Sequence, residues 1–250
     1  KWNPKMREYI FIARGGIHII DLQKTMAHIG PAFEFLSCTA ASGKKVLFVA
    51  TKKQAKQPVQ EAAEAVEMPF VTERWLGGML TNFQTMSKSV AKLSEIEGKL
   101  AEGQGETLTK KEALELTRQR EKLQRNLGGI REMKRVPGAL FVVDTAEEET
   151  AIKEANKLGI PVVGIVDTNA NPDGIDYPVP GNDDAIRAIQ LFCRLAKEAI
   201  AEGVALGSEG AVAGKEVEAA KEEPKAEAKK AEEPKAEASE ASAEPTETGK

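Results

Sequence analysis

Short, unbroken apolar runs alternate along this chain with longer stretches in which apolar residues recur every three or four positions. The runs at 46–50, 139–143 and 161–166 are built almost wholly of Val, Ile, Leu, Phe and Ala. Strands buried on both faces, as in a parallel sheet, read this way. A shorter candidate lies at 17–22, where Ile17, Ile19 and Ile20 surround His18. Helical periodicity fills the intervals 25–42, 54–66, 147–158 and 183–202. Strand–helix–strand alternation predicts an α/β fold with a doubly wound, mostly parallel sheet.

One segment breaks the alternation. Between residues 82 and 126 no strand pattern occurs, and Phe83, Met86, Val90, Leu93, Ile96 and Leu100 step along one helix face. Gly103-Gln104-Gly105 marks a turn, and Thr109 followed by Glu112 reads as a capping box that starts a second helix. That helix carries Leu116, Leu123, Leu127 and Ile130 on one side and stops at Gly128-Gly129. The pair predicts an inserted antiparallel helical hairpin, either projecting to dock on a partner or folded back as an extra layer. From Ser208 onward the composition falls to Ala, Glu, Lys, Pro, Ser and Thr, with too little apolar area to offset chain entropy, so disorder is expected. The predicted layout is a body at 1–81 and 127–207, a hairpin at 82–126 and an acidic tail at 208–250.

Composition narrows the class. The chain has 250 residues and no apolar stretch near the ~18–20 residues that a membrane-spanning helix needs. No apolar signal segment follows Lys1, and a start at Lys rather than Met suggests that the native amino end has been removed. Cys38 and Cys193 are far apart and form no Cys-x-x-Cys, which argues against a disulfide scaffold or zinc ribbon and for a reduced, cytoplasmic setting. The charge is uneven. Residues 1–135 hold 23 Lys and Arg against 15 Asp and Glu, whereas 136–207 hold 5 against 12. A basic first half joined to an acidic second half suggests that one face meets a polyanion.

The candidate chemistry points away from catalysis. Neither Gly-x-Gly-x-x-Gly nor Gly-x-x-x-x-Gly-Lys-Ser/Thr occurs, so a dinucleotide or nucleoside-triphosphate site is not expected. Gly-x-Ser-x-Gly is also absent, and His18 and His28 read as structural residues rather than bases. Lys52 and Lys53 open a helix and either hold a phosphate oxygen there or stand solvated. Asp167, Asp183 and Asp184 fall after strand ends; they either converge as oxygen ligands for a divalent cation or serve as caps and solvated charges. The more coherent signal is basic. Lys5 and Arg7 lie near Trp2 and Tyr9, Arg74 precedes Trp75, several Lys and Arg run through the hairpin, and Arg131, Lys134 and Arg135 follow it. Cations interleaved with a few aromatics suit an RNA backbone. Two other readings stay open: a small-molecule binder of flavodoxin or receiver type, and a coiled-coil adaptor acting through the hairpin.

Several motifs together resemble a known family. Trp2-Asn-Pro-Lys-Met6, Ile20-Asp-Leu-Gln-Lys-Thr25, Phe48-Val-Ala-Thr-Lys-Lys-Gln-Ala55, Arg74-Trp-Leu-Gly-Gly-Met-Leu-Thr-Asn-Phe83, Leu127-Gly-Gly-Ile130, Val143-Asp-Thr145, Asp167-Thr-Asn169 and Pro180-Gly-Asn-Asp-Asp-Ala-Ile-Arg187 are similar, in order, to the bacterial form of small ribosomal subunit protein two. The resemblance runs from about residue 2 to 203. It implies a flavodoxin-like body with a protruding coiled-coil hairpin and a non-enzymatic role. That role is binding small-subunit ribosomal RNA near the head–body junction and helping to recruit ribosomal protein one, which captures messenger RNA. On this resemblance Lys5, Arg7, Lys52, Lys53, Arg74, Arg131, Lys134 and Arg135 are the expected phosphate contacts. Asp167, Asp183 and Asp184 form an expected metal or protein-partner patch. Trp75 and Phe83, flanking Gly77-Gly78, are expected to pack at a hinge rather than stack on bases. No cofactor is implied beyond that cation. The family's short segment before Trp2 is missing here, and the tail after Gly207 matches no family motif.

Overall fold

The computed structural model describes residues 2–102 and 110–227. The chain divides into two compact units, Lys1–Ser208 and Glu209–Lys250.

Five parallel strands form the central sheet: β3 (Val46–Val49), β4 (Phe70–Val71), β5 (Ala139–Val143), β6 (Val162–Val166) and β7 (Tyr177–Pro180). Their spatial order is β4-β3-β5-β6-β7, so the chain begins inside the sheet, steps outward to β4 and then crosses back. This is the doubly wound order typical of flavodoxin-like folds, and it creates a switch point between β3 and β5 at their carboxyl ends.

Every residue of β3, β5 and β6 is buried, and alternate side chains feed two separate cores. Val46, Phe48, Phe141, Val143 and Ile165 pack with Phe33 and Leu36 of α1 (Leu22–Ala41), Val59 and Ala62 of α2 (Lys53–Ala65), and Ile189 and Phe192 of α6 (Ile186–Glu227). Leu47, Val49, Leu140, Val142 and Val166 pack on the other face with Met6, Trp75, Met79, Ile130, and Ala151 and Ile152 of α5 (Glu149–Leu158). Helix α6 approaches α1 closely: a Cβ built on Gly203 or Gly207 would stand 2.1 Å from the Ser37 carbonyl oxygen or 2.5 Å from that of Ala41.

Several elements differ from the sequence expectation. The candidate at 17–22 joins no central sheet; β2 (Ile17–Ile20) pairs antiparallel with β1 (Ile10–Arg14) as a separate ribbon. Asp21 follows that strand and caps α1, its carboxylate accepting from the Gln23 N–H. β1, β4 and β7 have no counterpart among the expected strands. α6 runs on to Glu227, past the Gly207 limit expected for ordered structure, because this Ala-, Glu- and Lys-rich sequence has strong helix formers. The rest of the expected disordered tail, 228–250, lies outside the described residues, as do the turn at 103–105 and the capping residue Thr109.

The insertion is two helices, α3 (Phe83–Glu102) and α4 (Lys110–Leu127). Glu97 of α3 lies level with Arg120 and Gln124 of α4, so the two run antiparallel. Leu93 and Ile96 are buried, while Phe83, Met86, Val90 and Leu123 rest the hairpin's root against the second core.

Candidate functional sites at the two ends of the sheet

The carboxyl ends of the strands gather one cation and several acids. Lys52 stands between β3 and α2, Asp144 follows β5, Asp167 follows β6, and Asp183 and Asp184 follow β7. Lys52 Nζ lies 2.7 Å from Asp183 Oδ1, 2.6 Å from Asp184 Oδ1 and 3.3 Å from Asp144 Oδ2. Its ammonium is therefore turned onto three carboxylates and forms an internal clamp. Burial works against that charge, yet the bonds to Asp183 and Asp184, with the charge of Asp144, raise the ammonium above its ordinary value.

Asp183 is 1% exposed, and its Oδ2 has no hydrogen-bond partner among the described residues. Burial first, then the charges of Asp144 and Asp167, push its carboxyl up to about 7 against the pull of Lys52. Neither Asn182 nor Asp183, the expected caps, caps α6: Asn182 Oδ1 accepts from the Asp184 and Ala185 N–H groups in a turn before the helix, whose first acceptor is the Ala185 carbonyl oxygen. Asp144 holds a left-handed backbone (φ 63°), supported by its side chain accepting from the Glu147 N–H. Strain of this kind is uncommon outside glycine and concentrates at sites. Asp167, Asp183 and Asp184 present carboxylate oxygens within 4.8 Å of one another, a donor set that fits a hard divalent cation.

The amino ends of the same strands are basic. Lys44 and Lys45, just before β3, meet Lys134 and Arg135, just before β5, around a cavity of about 1080 Å³ that Glu132 also lines. All four cations are exposed. Lys45 donates to the Glu67 carbonyl oxygen at 2.8 Å. Lys134 and Arg135 are expected from the sequence, whereas Lys44 and Lys45 are not among the expected contacts. Their signal is present all the same, since a Lys pair before an inner strand of a parallel sheet must lie at the same end as residues preceding its neighbour.

The remaining expected RNA contacts do not form one patch with these. Lys5 is ion-paired with Asp173. Arg7 and Lys53 are exposed, on the first turn and at the start of α2. Arg131 bonds Glu97 Oε2 at 2.7 Å and the Ser94 hydroxyl at 3.3 Å, tying the body to α3. Arg74 faces α4 in a separate cleft. Trp75 is buried with its Nε1 donating to Glu154 Oε1 at 3.1 Å, and Phe83 packs on the core, so both serve the hinge. The bend itself uses Gly78 at φ 86°. His18 stacks on Trp2 and His28 meets the edge of Tyr9, both structural contacts.

Residues 1–203 match the family model described as Ribosomal protein S2. The chain belongs to the ribosomal protein S2 family. Among its relatives named small ribosomal subunit protein uS2, that of Wolinella succinogenes is 55% identical over 228 residues, 91% of this chain and 84% of the relative. The Sulfurimonas denitrificans protein is 57% identical over 210 residues, 84% and 81% of the two chains. The protein from Mycobacteroides abscessus is 54% identical over 204 residues, 82% and 74%.

As an S2-family member the chain is a structural constituent of the small ribosomal subunit and not an enzyme. The flavodoxin-like scaffold therefore carries no assigned catalysis at its switch point, in keeping with the rule that function lives in the site and not in the fold. No described helix is long and apolar enough to cross a membrane.

Proposed function

We propose that this S2-family chain binds small-subunit ribosomal RNA through the basic amino end of its sheet, seats near the junction of head and body, and helps to recruit ribosomal protein one. The observation that carries the reading is the convergence of Lys44, Lys45, Lys134 and Arg135 on one open cavity with Glu132 as its one carboxylate. Phosphate contacts release counterions, so attachment of this kind weakens steeply as salt rises. Arg7 and Lys53 add exposed cations for the same RNA.

Recruitment of a protein partner is supported by the β1–β2 ribbon. Phe11 and Ile17 are 73% and 71% exposed, and Ile12, Ile19, Leu22 and Met26 are exposed beside them. This concentration of exposed apolar side chains around one short ribbon supports a protein interface there.

The test is sedimentation with small ribosomal subunits at two salt concentrations. The parent is expected to cosediment at low salt and to leave at high salt. The K44E/K134E/R135E variant is expected to stay in the supernatant at both. Retention of that variant as firmly as the parent would overturn the RNA assignment. On the same reading Asp167, Asp183 and Asp184 hold a divalent cation, supported by the unpartnered Asp183 Oδ2. Added metal should then raise the melting temperature of the parent, by linkage, and leave D184N unmoved. An identical response from both proteins refutes the cation site.

A further inference from the structure

The hairpin root carries a second concentration of positive charge, distinct from the sheet's amino end. Arg74, from the segment after β4, faces Arg118, Lys122 and Arg125 of α4 across a cleft of about 490 Å³. Glu121 and Asn126 complete its lining, so four cations stand against one carboxylate. Residues 118, 122 and 125 are spaced four and three apart and share one helix face. At ~1.5 Å rise per residue, their stems are separated by about 6 and 4.5 Å along the axis. That ladder is on the scale of neighbouring phosphates in one nucleic-acid strand.

What sets this cleft apart is the fate of the acids around it. Glu73, next to Arg74 in sequence, is taken by Lys56 at 3.0 Å. Glu97, which lines the neighbouring hollow with Arg120 and Arg125, is taken by Arg131 at 2.7 Å. Other cations are likewise committed to partners, among them Lys52, Lys99 and Lys153. Among the described residues Arg74, Arg118, Lys122 and Arg125 have no ion-pair partner. Glu73 and Glu97 are thus both engaged by other cations, and Glu121 is the one carboxylate that lines the cleft.

The Arg74 side of the cleft is also held. Glu154 accepts from the Trp75 indole, from the N–H groups of Gly78, Leu80 and Thr81, and from the Thr81 hydroxyl, all at 2.8–3.1 Å. The segment bearing Arg74 is therefore pinned to the body before it turns into α3.

We infer that Arg74, Arg118, Lys122 and Arg125 form a composite phosphodiester-binding cleft that grips the backbone of a folded RNA at the root of the hairpin. The cleft rests on the RNA-binding reading and adds a second, separate point of attachment to it. Three guanidiniums favour phosphate, which they meet with paired parallel hydrogen bonds. An acidic protein segment is the weaker candidate, because protein interfaces are anchored by buried apolar or aromatic side chains and no such residue lines this cleft.

The test measures binding of the full chain to a short fluorescein-labelled RNA duplex, and to polyglutamate, across a salt series. The parent is compared with R118Q/K122Q/R125Q and with K44Q/K134Q/R135Q, each checked for unchanged circular dichroism and melting. The cleft variant is expected to bind the duplex about tenfold or more weakly, with a salt slope shallower by about one for each phosphate it no longer holds. The variant at the sheet's amino end should show its own separate loss. If the parent itself fails to bind RNA in a salt-dependent manner, the functional reading fails. If the parent binds and the cleft variant matches it in affinity and slope, the cleft inference alone is overturned. Loss of polyglutamate binding with retained duplex binding also overturns it, in favour of an acidic protein partner.

Discussion

Glu148 and Glu154 are both buried, yet their surroundings move their charges in opposite directions. Among the described residues Glu148 accepts only from Thr51, including its N–H at 2.8 Å, and burial raises its carboxyl above the ordinary value. Glu154 has five donors around it, and although burial opposes its charge they hold its carboxyl below the ordinary value. A depressed carboxylate contributes stability that is present above its unfolded value and lost as pH falls through its folded one. Glu154→Gln should therefore cost about 2–4 kcal/mol in urea unfolding at neutral pH, since the new amide turns a donor towards donors. The difference from the parent should shrink on acidification. The raised Glu148 has the opposite sign: its penalty appears as pH rises, so Glu148→Gln should be harmless or mildly stabilising at neutral pH. Lys52→Met should cost about 3–5 kcal/mol, because it leaves Asp183 and Asp144 buried without their cation. A variant as stable as the parent would show that the clamp contributes nothing.

At the scale of elements, packing separates glycines that look alike in sequence. Gly203 faces the backbone of α1, where an added Cβ has no room, so Gly203→Ala should cost about 1–3 kcal/mol by overpacking. Gly98, inside α3 with open space at its Cβ, should gain about 0.5–1 kcal/mol on the same change. Thermal melts of the two variants should move in opposite directions. The inner strands β3, β5 and β6 are legible in the sequence because burial on both faces leaves an unbroken apolar run. The edge strands are not. β4 is two residues long, and β7 carries Pro178 and Pro180, which an edge tolerates because a strand there pairs on one side only. β2 misleads because exposure, not core, sets its pattern: Ile17 looks like a central-sheet residue and faces solvent.

For the molecule as a whole, the polarity of a parallel sheet sorts the charge. All five strands point the same way, so Lys44, Lys45, Lys134 and Arg135 collect at one end while Asp144, Asp167, Asp183 and Asp184 collect at the other. A division by halves of the sequence captures the imbalance and misses the axis. It puts Lys52 with the RNA contacts, although topology carries this residue to Asp183, 131 positions away. The acidic trio is legible, because each member directly follows a strand or precedes a helix. The clamp is not, since nothing along the chain links Lys52 to Asp183. Family motifs supply what periodicity lacks, namely the ribosomal role.

The bare ribbon of β1 and β2 bears on life before assembly. A newly made copy that shows Phe11, Ile12, Ile17 and Ile19 to water, on strands with an open hydrogen-bonding edge, is prone to stick to its own kind. Light scattering of the isolated protein should grow with concentration, and Phe11→Ser with Ile17→Thr should suppress it. Surplus copies made without a particle to join are then a burden on quality control, and matching synthesis to demand becomes a solubility requirement written into one short hairpin.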